Sequence, residues 1–300
     1  MNGLNNPGWL KKYMNTYSCI DEIPDTLYNA INLKLDRLTS EQPEVSIIIS
    51  VWNEEVDLLS TIRSLVDSTT SVPVEFIVVN NNSTDRTQEV LEKLHVKTFI
   101  QTIQGCGPAR QLGLEQAKGK YILTADADCI YPEGWIDGML AALKSPDVVC
   151  VYGRYSFIGN KITPRWKLSI YEKMKDVIAV VRHQHRPFLN SLGMTMGFVR
   201  LYALKVGYIM ENLRGEDGML TLSLMQFGSV IPVKEDRYKI WTGTRTIIKN
   251  KGLFNAVFLR IVEGLLNITT YLKKPAVYDK STAEQYKKSL KSSKRNTLII

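Results

Sequence analysis

Three short apolar runs constrain this chain more than anything else in it. They are VSIIISV (45–51), the start of VEFIVVNNNSTDRT (74–87) and YILTADAD (121–128). The first is continuous and rich in β-branched residues, as a strand buried on both faces is, and the other two read as further strands. Each ends in polar residues: Ser50 to Glu55, Asn80 to Asp85, and Asp126 to Asp128. Helical spacing fills the gaps. Val56, Leu59, Ile62 and Leu65 mark a helix within 55–69, TQEVLEKL marks another, and 107–120 reads as a third, ended by Gly119. VKTFIQT, just before that third helix, reads as a further strand. Strands alternating with helices predict a doubly wound α/β sheet of mainly parallel strands. Right-handed crossovers then bring the strand C-termini to one edge, where such sheets bind ligands.

The flanks are less regular. Residues 25–38 carry Leu27, Ile31, Leu35 and Leu38 at helical spacing. After residue 145, 148–157 reads as a strand, 164–181 as a helix, and 183–209 as a loop, a short strand and a helix start. Residues 214–228 predict a short helix opened by acidic residues, and 230–245 an extended segment. Residues 252–272 place Phe254, Phe258, Ile261, Leu265 and Leu272 on one helical stripe, with Arg260 and Glu263 opposing a membrane span.

Net charge is +8, but residues 273–300 hold eight basic and two acidic side chains, so residues 1–272 carry only +2. The excess describes a tail and not a nucleic-acid-binding body, and no nucleic-acid partner is expected. Such a tail suits either plain solvation or an anionic surface. Cys19, Cys106, Cys129 and Cys150 form no C-x-x-C pair, which argues against a zinc site or a disulfide scaffold. The N-terminal stretch has no signal-peptide pattern. The expectation is a cytoplasmic protein, or one held peripherally at the inner face of a membrane.

Asp126 and Asp128 are the residues that need explaining, because carboxylates beside an apolar strand are costly unless partnered. On an extended chain, residues two apart point the same way. Together they offer two hard oxygen donors to Mg²⁺ or Mn²⁺, with further oxygens coming from a diphosphate. A turn or capping role explains the same spacing equally well.

The order of motifs separates these readings. VSIIISVWNEE, VEFIVVNNNSTDRT and GPARQLGLEQAKGKYILTADADCIYPEGW, followed by RGEDGML, resemble the inverting glycosyltransferases of family 2 over roughly residues 44–245. The resemblance implies a GT-A fold: one α/β domain with a mainly parallel mixed sheet flanked by helices, plus helical N- and C-terminal extensions. It implies a nucleotide-sugar-binding half at 44–145 and an acceptor half at 146–250, after an N-terminal extension (1–43) and before an amphipathic helix and basic tail (251–300). Ser50, Val51, Asn53 and Glu55 would line the nucleotide pocket. Asn80 and Asn81 stand where relatives usually carry an aspartate that reads the base, and Asp85 closes that loop. Arg110 matches a basic residue near the nucleotide. Asp126, Ala127 and Asp128 would meet the donor, with both aspartates holding a divalent cation.

The same resemblance makes Asp217 the general base, with Glu216 beside it. A helix N-terminal position is expected to lower the carboxylate's pKa. Gly193, Met194 and Met196 match the acceptor-side loop, where small, flexible residues would let the backbone approach a sugar. Trp241 would either stack on a sugar or pack in the core, and Arg245 matches a segment that approaches the diphosphate. The implied partners are a nucleoside-diphosphate sugar and a saccharide or lipid-linked saccharide acceptor, with an anionic membrane surface for the C-terminal helix and tail. His183 and His185 share a face only on a strand and lack further ligands, so a loop over the acceptor with Arg182 and Arg186 is the favoured reading. Two rivals remain. A nucleotidyltransferase should show a glycine-rich basic loop after the first strand, which SVWNEE lacks. A non-catalytic binding module should not need Asp126, Asp128 and Asp217 together.

Overall fold

A computed structural model describes residues 5–14, 17–212 and 215–244, together with Tyr271 and Lys288. Strands β1 (Val45–Val51), β2 (Val74–Asn80), β3 (Lys97–Ile100) and β4 (Tyr121–Asp126) run parallel in the order β3-β2-β1-β4. Between and before them lie α1 (Asp25–Leu38), α2 (Asp57–Val66), α3 (Thr87–Glu92) and α4 (Cys106–Gln116). The absence of alternation in β1 has the expected cause. Ile47 and Ile49 enter one core with Leu58 and Ile62 of α2, while Ile48 enters another with Ala109 and Leu114 of α4. Each such burial contributes roughly 1.5–3 kcal/mol. The register sets Ser50 beside Asp126 and Val51 beside Asn80, so the polar strand ends meet at one edge.

The chain then adds β5 (Cys129–Ile130), α5 (Trp135–Leu143), β6 (Val148–Tyr152), β7 (Tyr155–Phe157), α6 (Arg165–His185) and β8 (Met196–Val199). It continues with α7 (Arg200–Val206), α8 (Glu216–Leu224), β9 (Ser229–Pro232) and β10 (Ile240–Thr242). The main sheet has seven strands, ordered β3-β2-β1-β4-β8-β6-β9, with β8 antiparallel to both β4 and β6. A three-stranded sheet, β5-β10-β7, sits apart from it.

Several expected elements change shape for local reasons. The fourth strand stops at Asp126, and Ala127 and Asp128 form a turn, so the two aspartates do not share an extended chain. Helix α4 ends at Gln116, not at Gly119. The N–H groups of Lys118 and Gly119 are drawn off the helix to Glu75 (2.7 Å) and to the Ser46 hydroxyl (2.9 Å). The strand expected over 148–157 is two strands in different sheets, split at Gly153 and Arg154. The extended segment expected over 230–245 is likewise divided between β9 and β10. Helix α6 runs on through His185, so the two histidines lie on a helix, where residues two apart diverge. The amphipathic stretch 252–272, apart from Tyr271, and nearly all of the basic tail lie outside the described residues.

Candidate active site

The loops that follow β1 and β2 are stitched together by the polar residues expected in the nucleotide pocket. Asn53 adopts a left-handed conformation (φ 56°), and its Oδ1 accepts the N–H of Thr84 at 2.7 Å. Asp85 accepts the N–H and hydroxyl of Thr87 on one oxygen (3.0 and 2.6 Å) and the N–H of Glu55 on the other (3.3 Å). Glu55 accepts the N–H of Arg86 at 2.9 Å. Asn80 accepts the N–H of Ser83 and donates to Gln88. Asn81 donates to the carbonyls of Gln101 and Ile103 and accepts the N–H of Gly105, which aims the turn before α4. Asn53, Glu55, Asn80 and Asp85 thus brace the loops through these bonds.

Those loops enclose a cleft of about 160 Å³. Ser50, Val51, Asn81, Asp126, Ala127 and Asp128 line it. So does Trp52, which remains 55% exposed and was not singled out in the sequence. Its signal was a large aromatic placed among the polar residues of a strand end.

At the inner side of the cleft sits Arg110, only 3% exposed. One of its nitrogens donates to Asp126 (2.8 Å), and the other donates to Asp217 (2.7 Å) and Glu216 (3.1 Å). One guanidinium therefore gathers a carboxylate from the end of β4 and two from the start of α8. Gly215, in a left-handed conformation (φ 93°), turns the chain into that helix. The second oxygen of Asp217 accepts the N–H of Gly193 at 2.7 Å. Gly193 is small for a reason other than sugar approach: a Cβ there would stand 2.1 Å from the guanidinium carbon of Arg110. Tyr131, fully buried, accepts the N–H of Asp126 (3.0 Å) and donates to the carbonyl of Met194 (2.9 Å), tying the end of β4 to the Gly193 loop.

Burial raises the Asp217 carboxyl to about 7, against the pull of Arg110 and with the help of Glu216. This reverses the lowering expected from a helix N-terminus, because desolvation of a nearly buried carboxylate outweighs a terminal dipole. Burial also raises Asp126, with Arg110 opposing and Asp128 adding to the shift.

The other expected acceptor contacts separate. Met194 reaches the site through its backbone. Met196 is fully buried in the core and offers no surface. Trp241 is buried and packs with Leu10, Tyr13 and Ile130, with the Arg165 guanidinium 5.0 Å from its ring. Arg245 lies outside the described residues. His183 bonds the Tyr152 hydroxyl at 2.8 Å, and among the described residues no three His, Cys, Asp or Glu side chains group as a metal site.

The sequence model of the family "Glycosyl transferase family 2" matches residues 46–202. The chain belongs to this family. Its fold is GT-A. An uncharacterized glycosyltransferase of Haemophilus influenzae is 32% identical over 149 residues, covering 47% of this chain and 58% of that protein. The chain spans about half the length of the first curated relatives it matches. Among solved structures, Staphylococcus aureus TarS 1–349 in complex with UDP-GlcNAc superposes with a TM-score of 0.51 at 18% identity, covering 75% of this chain and 67% of that one. The mannosyltransferase PcManGT of Pyrobaculum calidifontis, in complex with GDP-Man and Mn²⁺, gives 0.52 at 15% identity, covering 82% and 85%. At these identities the two structures speak for the fold. No helix among the described residues is long and apolar enough to cross a membrane.

Proposed function

We propose that this glycosyltransferase moves a sugar from a nucleoside-diphosphate donor to a hydroxyl of a saccharide acceptor, with inversion at the anomeric carbon. One observation carries the reading: Arg110 holds Asp126, at the donor edge, in the same buried cluster as Asp217. Residues 44–145 form the donor half and 146–250 the acceptor half. Asp217 is the base. Arg110 and the Gly193 N–H each occupy one of its oxygens, but a carboxylate oxygen has a second acceptor site. The acceptor hydroxyl donates there, gives up its proton to Asp217 and attacks the anomeric carbon on the face opposite the departing nucleoside diphosphate. A carboxyl with a pKa near 7 is well matched to this transfer.

The residues present fit a divalent cation. Asp126 and Asp128 line one cleft, and one arginine faces three carboxylates, so negative charge is in excess. Asp128 and Asp126 would hold Mn²⁺ or Mg²⁺, which offsets the diphosphate's charge when bound. A lipid-linked acceptor and contact with an anionic membrane surface rest on the amphipathic pattern and basic tail of residues 251–300. Calorimetry with UDP, GDP, CDP and dTDP, with and without Mn²⁺, tests the reading. Mn²⁺-dependent binding of one nucleotide, lost in Asp128→Ala, supports it; no binding of any of them to the wild type contradicts it.

A further inference from the structure

Nothing in the reading above uses α6, a 21-residue helix. A cavity of about 260 Å³ opens between this helix and the turn joining β6 to β7. Lys175, Asp176 and Arg182 of α6 line it, with Arg154 and Tyr152 across from them. Its wall continues into Asn190 and Leu192. These residues immediately precede Gly193, whose N–H holds Asp217. The cavity and the proposed base therefore share one short backbone segment.

Three cations line this cavity against one carboxylate. Asp176 is shared between Arg154 (2.5 Å) and Lys175 (3.7 Å). Arg154 is further satisfied by Asp236 at 2.8 Å. Glu172, the nearest other carboxylate on α6, is closed off by Arg165, the Ser156 hydroxyl and the N–H of Phe157. Lys239 adds repulsion. Lys175 keeps the Tyr155 carbonyl at 2.9 Å and the Tyr155 ring, whose centroid lies 3.4 Å away. Its side chain is 18% exposed, and burial lowers the ammonium to about 8. Buried charges are ordinarily paired. Arg182 donates one Nη to the Tyr271 hydroxyl at 2.8 Å and lies over that ring, but its buried Nε has no hydrogen-bond partner. The pairing of the cations is therefore incomplete, and the space beside the lysine is open.

We propose that this cavity is an acceptor subsite for an oxyanion, a phosphate or carboxylate carried by the sugar acceptor and held on Lys175 and Arg182. The assignment rests on the reading of Asp217 as base, because that reading makes the Leu192–Gly193 side the acceptor's side. An oxyanion in the cavity completes the pairing of Lys175.

The amine of Lys175 reports occupancy directly. The full chain is pulse-acetylated with an N-hydroxysuccinimide ester, and labelling of Lys175 is followed by peptide mass spectrometry in chloride, inorganic phosphate and glucuronate at equal ionic strength. A bound oxyanion raises the amine's pKa, and each unit lowers the reactive fraction about tenfold. Protection by phosphate points to a phosphate-bearing acceptor, and protection by glucuronate to a uronic acid; either supports the subsite. Labelling equal in all three salts overturns it. In turnover, the ratio of KM for a neutral glycoside to KM for its phosphate- or carboxylate-bearing counterpart falls about tenfold in Lys175→Gln; an unchanged ratio also overturns it. Protection is measured again in Asp217→Asn. If that variant still transfers sugar, the assignment of the base fails, while the anion result stands by itself.

Discussion

Two buried arginines show how differently one side chain is used. Arg165 donates to Glu172 at 2.7 Å and lies over Trp241. Glu172 is completed by the Ser156 hydroxyl and the N–H of Phe157, so that site is a balanced pair inside the core. Arg110 faces Asp126, Glu216 and Asp217 together. That cluster is not balanced, and it opens on a cleft lined by a further carboxylate, Asp128. A buried pair balanced in charge calls for no further ion. An excess of buried carboxylates calls for a proton, a cation or both, which is what the proposed reading of this site supplies.

The comparison breaks first on the arginines themselves. Removing one partner of a buried ion pair costs about 3–5 kcal/mol, so Arg110→Met and Arg165→Met should both melt early in a thermal scan. Turnover per folded molecule separates them: Arg110→Met should lose transfer, and Arg165→Met should keep it. Equal activity in the two would erase the distinction.

Gly193→Ala sharpens the contrast with less disturbance. Its methyl group collides with the Arg110 guanidinium and with nothing at Arg165. Displacement of the cluster by a fraction of an ångström to an ångström should lower kcat about a hundredfold, read in steady-state kinetics with folding checked by circular dichroism.

The protonation of Asp217 gives a smaller and opposed pair of effects. Its folded pKa, about 7, stands above the ordinary value of 3.8. Between those values the folded state binds more protons than the unfolded one. Stability from this group is therefore full below about 4 and is lost as pH rises through 7. Activity runs the other way, because the base must be ionised. kcat/KM should fall about tenfold per pH unit below 7, while Tm rises. An activity limb near 4 would show an ordinary exposed carboxylate in its place.

Trp52→Ala should have the smallest effect. An aromatic ring stacked on a nucleobase contributes about 1–2 kcal/mol, so if the donor's base rests on Trp52 its loss should cost roughly tenfold in nucleotide Kd by calorimetry, with kcat nearly unchanged.

The first half of the sheet was legible because β1, β2 and β4 are almost wholly buried. Burial of that kind writes continuous apolar runs, and the polar strand ends announce the binding edge. The region after β4 was less legible because its residues serve two sheets. The β6–β7 break needs only Gly153 and Arg154, and α6 runs past the point where its apolar spacing fades. The partners of Arg110 were each visible in sequence, but their convergence was not. It joins residues 106 and 107 positions apart, and such long-range juxtaposition has no local signature. The pKa direction of Asp217 was unreadable for the same reason. A helix N-terminus is a sequence feature, whereas its burial is a property of the whole fold.

The most direct measurement compares wild type with Asp217→Asn in two assays on the same preparation, Mn²⁺-dependent donor binding and sugar transfer. The account predicts a donor Kd within about twofold of wild type and transfer reduced by at least about a hundredfold. Retained transfer, or donor binding lost together with transfer, would contradict a base that stands beside the donor site without forming it.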